Sequence, residues 1–389
     1  MRVRGGPARF LMRRADGSVT VALGLTQCWH RVPGGTATSV LDLAAALVAD
    51  DAVGVVGVGP RSNRPPGPEQ PVCPMRHLRL GLPLLYDAWT WTGRPSIGRV
   101  VPEADLIHLS VPIVPPRERL PIVVTVHDVL PLTHPEWFTG RGAALMRRGL
   151  RAIARTAAAV IVPSEATRRA CVDQGFDPAQ LSVVPWGSQS VDATSEDQVA
   201  RLRGRLGLSG PYVCFVGTPE PRKGLSVLID ALVRLGRPDV ALALAGPPGW
   251  GEAGMDRLGE VPGAVVELGH LSRADLTILE AGAAAVVLPS LAEGFGLPVL
   301  ESLAAGAVVI TTSGTACGEV AGTAALLVPP GDHVALAAAI EQILDSTELA
   351  CDLRLRGPQR AADFSWRTTA DATIAVYRSV LGGSTRGQS

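Results

Sequence analysis

The chain of 389 residues contains a single lysine, Lys223, against 35 arginines. A coding bias toward arginine explains the imbalance. The survivor then has two readings: chance, or a position that needs a compact ammonium rather than a planar guanidinium. The six cysteines are Cys28, Cys73, Cys171, Cys214, Cys317 and Cys351, and no two stand in a C-x-x-C spacing. Several lie in apolar runs such as YVCFVG, so buried free thiols are expected, not a disulfide frame or a thiolate zinc site. Net charge is missing too. Thirty-six basic residues balance thirty-six acidic ones, which weighs against a nucleic-acid binder. No apolar run reaches 18 residues, so no membrane-spanning helix is expected. The opening MRVRGGPARFLMRRADGS is basic but has no apolar signal-peptide core, and a cytoplasmic protein is expected. There is no H-E-x-x-H, paired-histidine or D-x-D cluster, so neither metal nor cofactor is expected. The absence of G-x-G-x-x-G and of a Walker lysine weighs against nucleotide hydrolases and standard dinucleotide enzymes.

What is present is apolar and alternating. Hydrophobic residues make up 47% and charged residues 19%, and the length suits two or three domains. After an arginine-rich tail over 1–18, VTVALGL (19–25) reads as a buried parallel strand, and SVLDLAAALVAD (39–50) has helical spacing. Strand-like runs follow at 52–58, 105–111, 122–128, 158–164 and 181–185, with helices over 140–156 and 165–174. Residues 60–100, which hold Trp89 and Trp91, are proline-rich and fit neither period.

The polar stretch 185–198 reads as an interdomain connection. A second series starts at PYVCFVG (211–217) and alternates strand and helix to about 346. FSWRTTADATIAVYRSVL (364–381) reads as one amphipathic helix. The expectation is an α/β protein of two doubly wound domains facing a cleft, over 19–190 and 205–363. Ligands of such sheets bind beyond the carboxyl ends of the strands, so site residues should follow strands.

Five clusters qualify. EGFGLPVLE runs from Glu293 to Glu301 after a strand. Its Gly294 and Gly296 bracket Phe295, and Leu297-Pro298 opens a helix whose free N–H groups suit a phosphate. Glu301 is placed in the first turn, either as a cap or facing a sugar hydroxyl. Glu293 is either a solvated loop charge or a ligand. GTPEPRKGLSVL (217–228) puts Arg222 and Lys223 at another strand end, where two cations would neutralise a diphosphate. PGGT, with Gly34 and Gly35, allows close backbone approach, as ordinary strand–helix turns also do. His127-Asp128 ends a strand. The imidazole either bonds a loop carbonyl or polarises a reacting hydroxyl, while mid-strand His108 reads as a satisfied core residue. In RGAALMRRGLRAIAR (141–155), Arg141, Arg147, Arg148, Arg151 and Arg155 share one helical side. That side is either solvated or a contact with an anionic membrane.

VGTPEPRKGLSVLIDAL, LPSLAEGFGLPVLESLAAGAVVITT and EVAGTAALLVPPGD together resemble glycosyltransferase family 4, of the GT-B fold. TVHDVLPLTHPEWF resembles its branch of bacterial O-chain mannosyltransferases. The resemblance spans about residues 19–381. It implies a retaining, metal-independent transfer from a nucleotide-diphosphate sugar, with GDP-mannose leading and UDP-glucose or another donor as the alternative. The acceptor would be a glycan or a lipid-linked glycan at the inner membrane face, or else a small molecule. By position, Arg222 and Lys223 would contact the donor diphosphate. Glu293, with the backbone of Phe295, Gly296 and Leu297, would hold the sugar, and Glu301 the ribose. Gly34 and Gly35 would approach the diphosphate from the other domain, and His127 would contact the sugar near the reacting centre. The last helix would cross back to the first domain. Thr218 stands where many members carry arginine, and prolines usual in AAGAVV and before Glu319 are missing. These departures bear on local loop shape. Two other classes are weighed. A pyridoxal phosphorylase would need a Schiff-base lysine, and only Lys223, in a phosphate loop, is available. A non-catalytic nucleotide-sugar scaffold would not need Glu293, Lys223 and His127 together.

Overall fold

A computed structural model describes residues 18–30, 34–67, 70–189, 191–247 and 254–384. The tail expected over 1–18 lies outside the described residues except for Ser18, and so does Pro33. Among the described residues the chain forms two parallel sheets. The first contains β1 (Val19–Gly24), β2 (Val53–Gly59), β3 (Met75–His77), β4 (Leu106–Leu109), β5 (Ile122–Thr125), β6 (Ala159–Val162) and β7 (Leu181–Val183), in the order β3-β2-β1-β4-β5-β6-β7. The second contains β8 (Tyr212–Val216), β9 (Ala241–Ala245), β10 (Val265–Gly269), β11 (Ala285–Leu288), β12 (Val309–Thr312) and β13 (Leu326–Val328), in the order β10-β9-β8-β11-β12-β13. Both are doubly wound α/β sheets, as the alternating runs predict.

The strands are short apolar runs because helices cover both faces of each sheet. Every residue of β4, β5, β6, β8, β11 and β12 is buried. On one face of the first sheet, Trp89, Leu150, Ile153 and Cys171 pack around β4 to β6. On the other, Val40 and Leu47 of helix Gly34–Val48 pack with Ile374 and Tyr377 of the last helix, Trp366–Ser384. That last helix therefore sits on the first sheet. Its Tyr377 hydroxyl is 2.6 Å from His108 Nδ1, and its Thr369 hydroxyl donates to the Pro185 carbonyl at 2.8 Å.

Several elements differ from expectation. Helix Glu196–Leu206 begins inside the stretch read as connection and ahead of residue 205, and its Leu202 lies in the second core. Its start is fixed by a capping box between Ser195 and Gln198, a local signal that outweighs the missing apolar period. The proline-rich region contains β3 and helix Leu84–Thr92, which buries Trp89 but leaves Trp91 70% exposed. Helix Thr347–Ala361 was not anticipated and carries Pro358 within it. Five cysteines are buried, but Cys351 is exposed on that helix, so the expectation of six buried thiols is corrected. No described helix is long and apolar enough to cross a membrane.

Candidate active site

The winding of the first sheet reverses between β1 and β4, and that of the second between β8 and β11. Ligands of open parallel sheets bind at such points. PGGT follows β1, PRKG follows β8, EGFG follows β11, and His127 follows β5, next to β4. Strand-end loops from both sheets thus meet at one cleft.

On the second domain, Pro221–Lys223 makes one 3-10 turn. Lys223 Nζ donates to Glu293 Oε1, and Arg222 Nη1 donates to Glu293 Oε2 at 2.5 Å. Arg222 Nε also donates to Glu220 Oε2 at 2.8 Å. Glu293 has a side-chain exposure of only 11%, so it is not a solvated loop charge but the largely buried counter-ion of both cations. Burial alone would raise its pKa. The charges of Arg222 and Lys223 and their hydrogen bonds overcome that and hold it at about 2. A backbone bond joins the two loops, Leu291 N–H donating to the Arg222 carbonyl at 2.7 Å, and the Thr312 hydroxyl at the end of β12 donates to the Ser290 carbonyl at 2.8 Å.

Gly296 turns the chain into helix Leu297–Ala304 with φ +102°, and a Cβ there would lie 3.0 Å from Cys317 Sγ. Only glycine meets both demands. Helix starts carry partial positive charge, which adds to that of Arg222 and Lys223. Glu301 falls in the second turn, not the first, because the helix begins at Leu297. It lies 3.8 Å from Arg273 Nη2 and is 40% exposed. Across the cleft, helix Gly34–Val48 opens at the two glycines, and a Cβ on Gly35 would stand 4.0 Å from Leu297 Cδ1. The starts of two helices, one from each domain, therefore face each other.

His127 Nε2 lies 2.9 Å from the Ser110 carbonyl, so this atom has the loop-carbonyl partner. A carbonyl only accepts, which puts the proton on Nε2 and leaves Nδ1 as an acceptor. Nδ1 is buried without a partner. Burial pushes the pKa of the ring down to about 4, so it is neutral at pH 7. Its ring centroid is 5.1 Å from that of Trp186, which in turn is 5.3 Å from that of Phe295. Burial raises the pKa of Asp128, although Arg222 across the cleft opposes this. His108, by contrast, is fully satisfied, by Tyr377 and by Thr125 at 2.8 Å.

Helix Gly140–Thr156 buries Ala143, Gly149, Leu150 and Ile153 and exposes Arg141, Arg148, Arg151 and Arg155. Arg141 pairs with Asp87 at 2.9 Å, and Arg148 lies 4.5 Å over the Trp91 ring. The face is therefore partly committed to neighbours within the domain. No group of three or more His, Cys, Asp or Glu side chains among the described residues could hold a metal ion.

The sequence reading missed Glu220, Trp186, Ser164 and Thr167. Glu220 could have been found as the acid two residues from Arg222. Ser164, at a strand end before a helix, carries an N-cap signal. Its second contact, with Gly294, has no local signature.

Two doubly wound domains facing one cleft, with paired cations at a switch point, are the arrangement of a GT-B glycosyltransferase. The model described as Glycosyltransferase Family 4 matches residues 33–188, and that described as Glycosyl transferases group 1 matches residues 210–346. O-antigen chain mannosyltransferase B of Escherichia coli is 30% identical over 266 residues, 66% of this chain and 70% of that protein. MMP alpha-(1->4)-mannosyltransferase of Mycolicibacterium hassiacum is 31% identical over 281 residues, 67% of this chain and 66% of that protein. In fold, the chain is similar to Anabaena Alr3699/HepE in complex with UDP-glucose, with a TM-score of 0.71 and 22% identity over 92% of this chain and 99% of that one. The chain belongs to glycosyltransferase family 4.

Proposed function

We propose that this enzyme transfers mannose from GDP-mannose to a glycan or lipid-linked glycan with retention of configuration. The observation that carries the reading is the cluster of Arg222, Lys223 and Glu293 beside the start of helix Leu297–Ala304, opposite Gly35. The names of the Escherichia coli and Mycolicibacterium relatives support mannose. UDP-glucose is the second reading, favoured by the ligand of the Anabaena structure.

The donor diphosphate would take over the two cations and the helix start. Glu293, released from them, would then accept hydrogen bonds from sugar hydroxyls, with the Phe295 and Gly296 backbone alongside. Glu301 would bond the ribose. His127 Nδ1, an acceptor without a donor, would receive a sugar hydroxyl. The acceptor hydroxyl would attack from the face that the diphosphate leaves. The carbon–oxygen bond to the diphosphate breaks as the new glycosidic bond forms, and the departing phosphate takes the hydroxyl proton. A pKa near 4 makes His127 a weak base, which supports the phosphate in that role. Arg222, Lys223 and the helix start supply the positive charge that the leaving group needs, so we assign no metal to the reaction. The acceptor would lie against the first domain, where exposed Arg148, Arg151, Arg155 and Trp91 suit peripheral contact with the cytoplasmic membrane face.

Turnover of a panel of nucleotide sugars, with and without EDTA, tests this reading. We expect GDP-mannose to be used, EDTA to have no effect, and NMR to find the donor's anomeric configuration in the product. An inverted product, or dependence on a divalent ion, overturns the mechanism. Binding without turnover across a broad acceptor set favours a scaffold.

A further inference from the structure

One helix of the first domain reaches the EGFG loop of the second. The hydroxyls of Ser164 and Thr167 both donate to the Gly294 carbonyl, at 2.7 and 2.8 Å. All three residues are buried. Ser164 also caps its own helix, Glu165–Asp173, by accepting from Thr167 N–H at 3.0 Å. Thr167 caps nothing, and its hydroxyl is spent on Gly294. On its other side, Gly294 lies so close to the first domain that a Cβ would stand 1.8 Å from the His127 carbonyl oxygen. In the next turn of the helix, Arg169 reaches Glu319 of the second domain at 2.6 Å.

Gly294 stands between Glu293, which holds both cations, and Phe295–Gly296, which open the helix. A carbonyl held by two hydroxyls from the other domain fixes the backbone of this loop only while the domains are together. We propose that Ser164 and Thr167 are positioning residues: they seat the Glu293–Gly296 loop against His127, so the sugar-binding end of the site is completed by the first domain. The proposal rests on the reading of that loop as the donor site. When the domains part, water replaces the hydroxyls, so each bond shifts the equilibrium only modestly, by about 3- to 10-fold. Such a bias holds the loop in place without preventing release.

Thr167→Val removes the hydroxyl and keeps the shape and the Ser164 cap, whereas Thr167→Ser keeps the hydroxyl. We expect the valine variant to exchange loop amides at 294–296 about 3- to 10-fold faster. Its radius of gyration by X-ray scattering should be larger, and its kcat/KM with the sugar nucleotide lower by a similar factor. Its thermal midpoint should stay near that of the wild type, and the serine variant should match the wild type throughout. The proposal is overturned if the valine variant keeps wild-type exchange and radius, or if serine is as impaired as valine. Should the valine variant fail to fold, Gly294→Ala, which pushes the loop off His127, is read by the same exchange and scattering. Exchange and scattering are measured on ligand-free protein. A wild type that binds no sugar nucleotide therefore defeats the donor reading and leaves this test intact.

Discussion

Lys223, the only lysine in the chain, is ion-paired with Glu293, seventy residues further on and in a different loop. Arg222 shares the same carboxylate. Both cations therefore already have a largely buried counter-ion, which a diphosphate bound as proposed would displace. The carboxylate so released stands where a sugar would lie. In the proposed reading, one exchange of partners would couple phosphate binding to sugar binding.

Glu293→Gln separates the two roles. The cations lose their internal competitor, so nucleoside diphosphate alone should bind more tightly, by roughly 10-fold. Transfer should fall by about 100-fold or more, because the sugar loses its carboxylate. Calorimetry and steady-state rates on one preparation check both. Weaker diphosphate binding in the variant would show that Glu293 orders the cations and does not compete for them.

Tyr377→Phe tests how the last helix is held to the first sheet. The hydroxyl is a partner of His108, which is fully buried within β4. Its loss leaves a ring nitrogen unpaired, at a cost of about 1–3 kcal/mol. Urea unfolding should show a lower midpoint, and Thr369→Val, which breaks the bond to the Pro185 carbonyl, should act in the same direction.

Glu280 should leave a pH signature. It is buried against helix Leu297–Ala304 and accepts from the Ser302 hydroxyl at 2.7 Å. Burial raises its pKa to about 8, the Ser302 bond only partly opposing this. The folded protein therefore holds a proton that the unfolded chain releases above the ordinary carboxylate pKa of 4.5. Stability from this group is intact below pH 4.5 and falls as pH rises to about 8, on the order of 1 kcal/mol per pH unit. Glu280→Gln keeps the acceptor and cannot ionise. Its advantage over wild type in thermal midpoint should grow from pH 5 to pH 8. A constant difference across that range would mean that Glu280 titrates normally.

The two sheets were legible because parallel strands covered on both faces are unbroken apolar runs, as in YVCFVG and IVVTV. The charged members of the site were legible because they follow such runs directly, where few residues are free to be polar without function. Glu293 and Lys223 could be named from sequence, but not that they bind each other, since a pairing across seventy residues has no local period. The same holds for Ser164 and Gly294, which lie 130 residues apart. Glu301 was misplaced by one turn although the helix start at Leu297 was read correctly, because four residues already complete the first turn ahead of it. Cys351 was misjudged because an apolar residue type says nothing about which helix face it occupies. The capping box at Ser195–Gln198 is a local signal in the sequence, but the stretch around it is polar and the reading took it only as a connection.

The most direct test is titration calorimetry of GDP, UDP, ADP and dTDP into the wild type and Lys223→Ala, with folding of both checked by circular dichroism. We expect GDP to bind best and to lose roughly 10- to 100-fold in affinity on substitution, the loss of one or two charge-assisted hydrogen bonds. Absence of binding to any nucleotide by the folded wild type, or equal affinity in the variant, would contradict the placement of the donor diphosphate at Arg222 and Lys223.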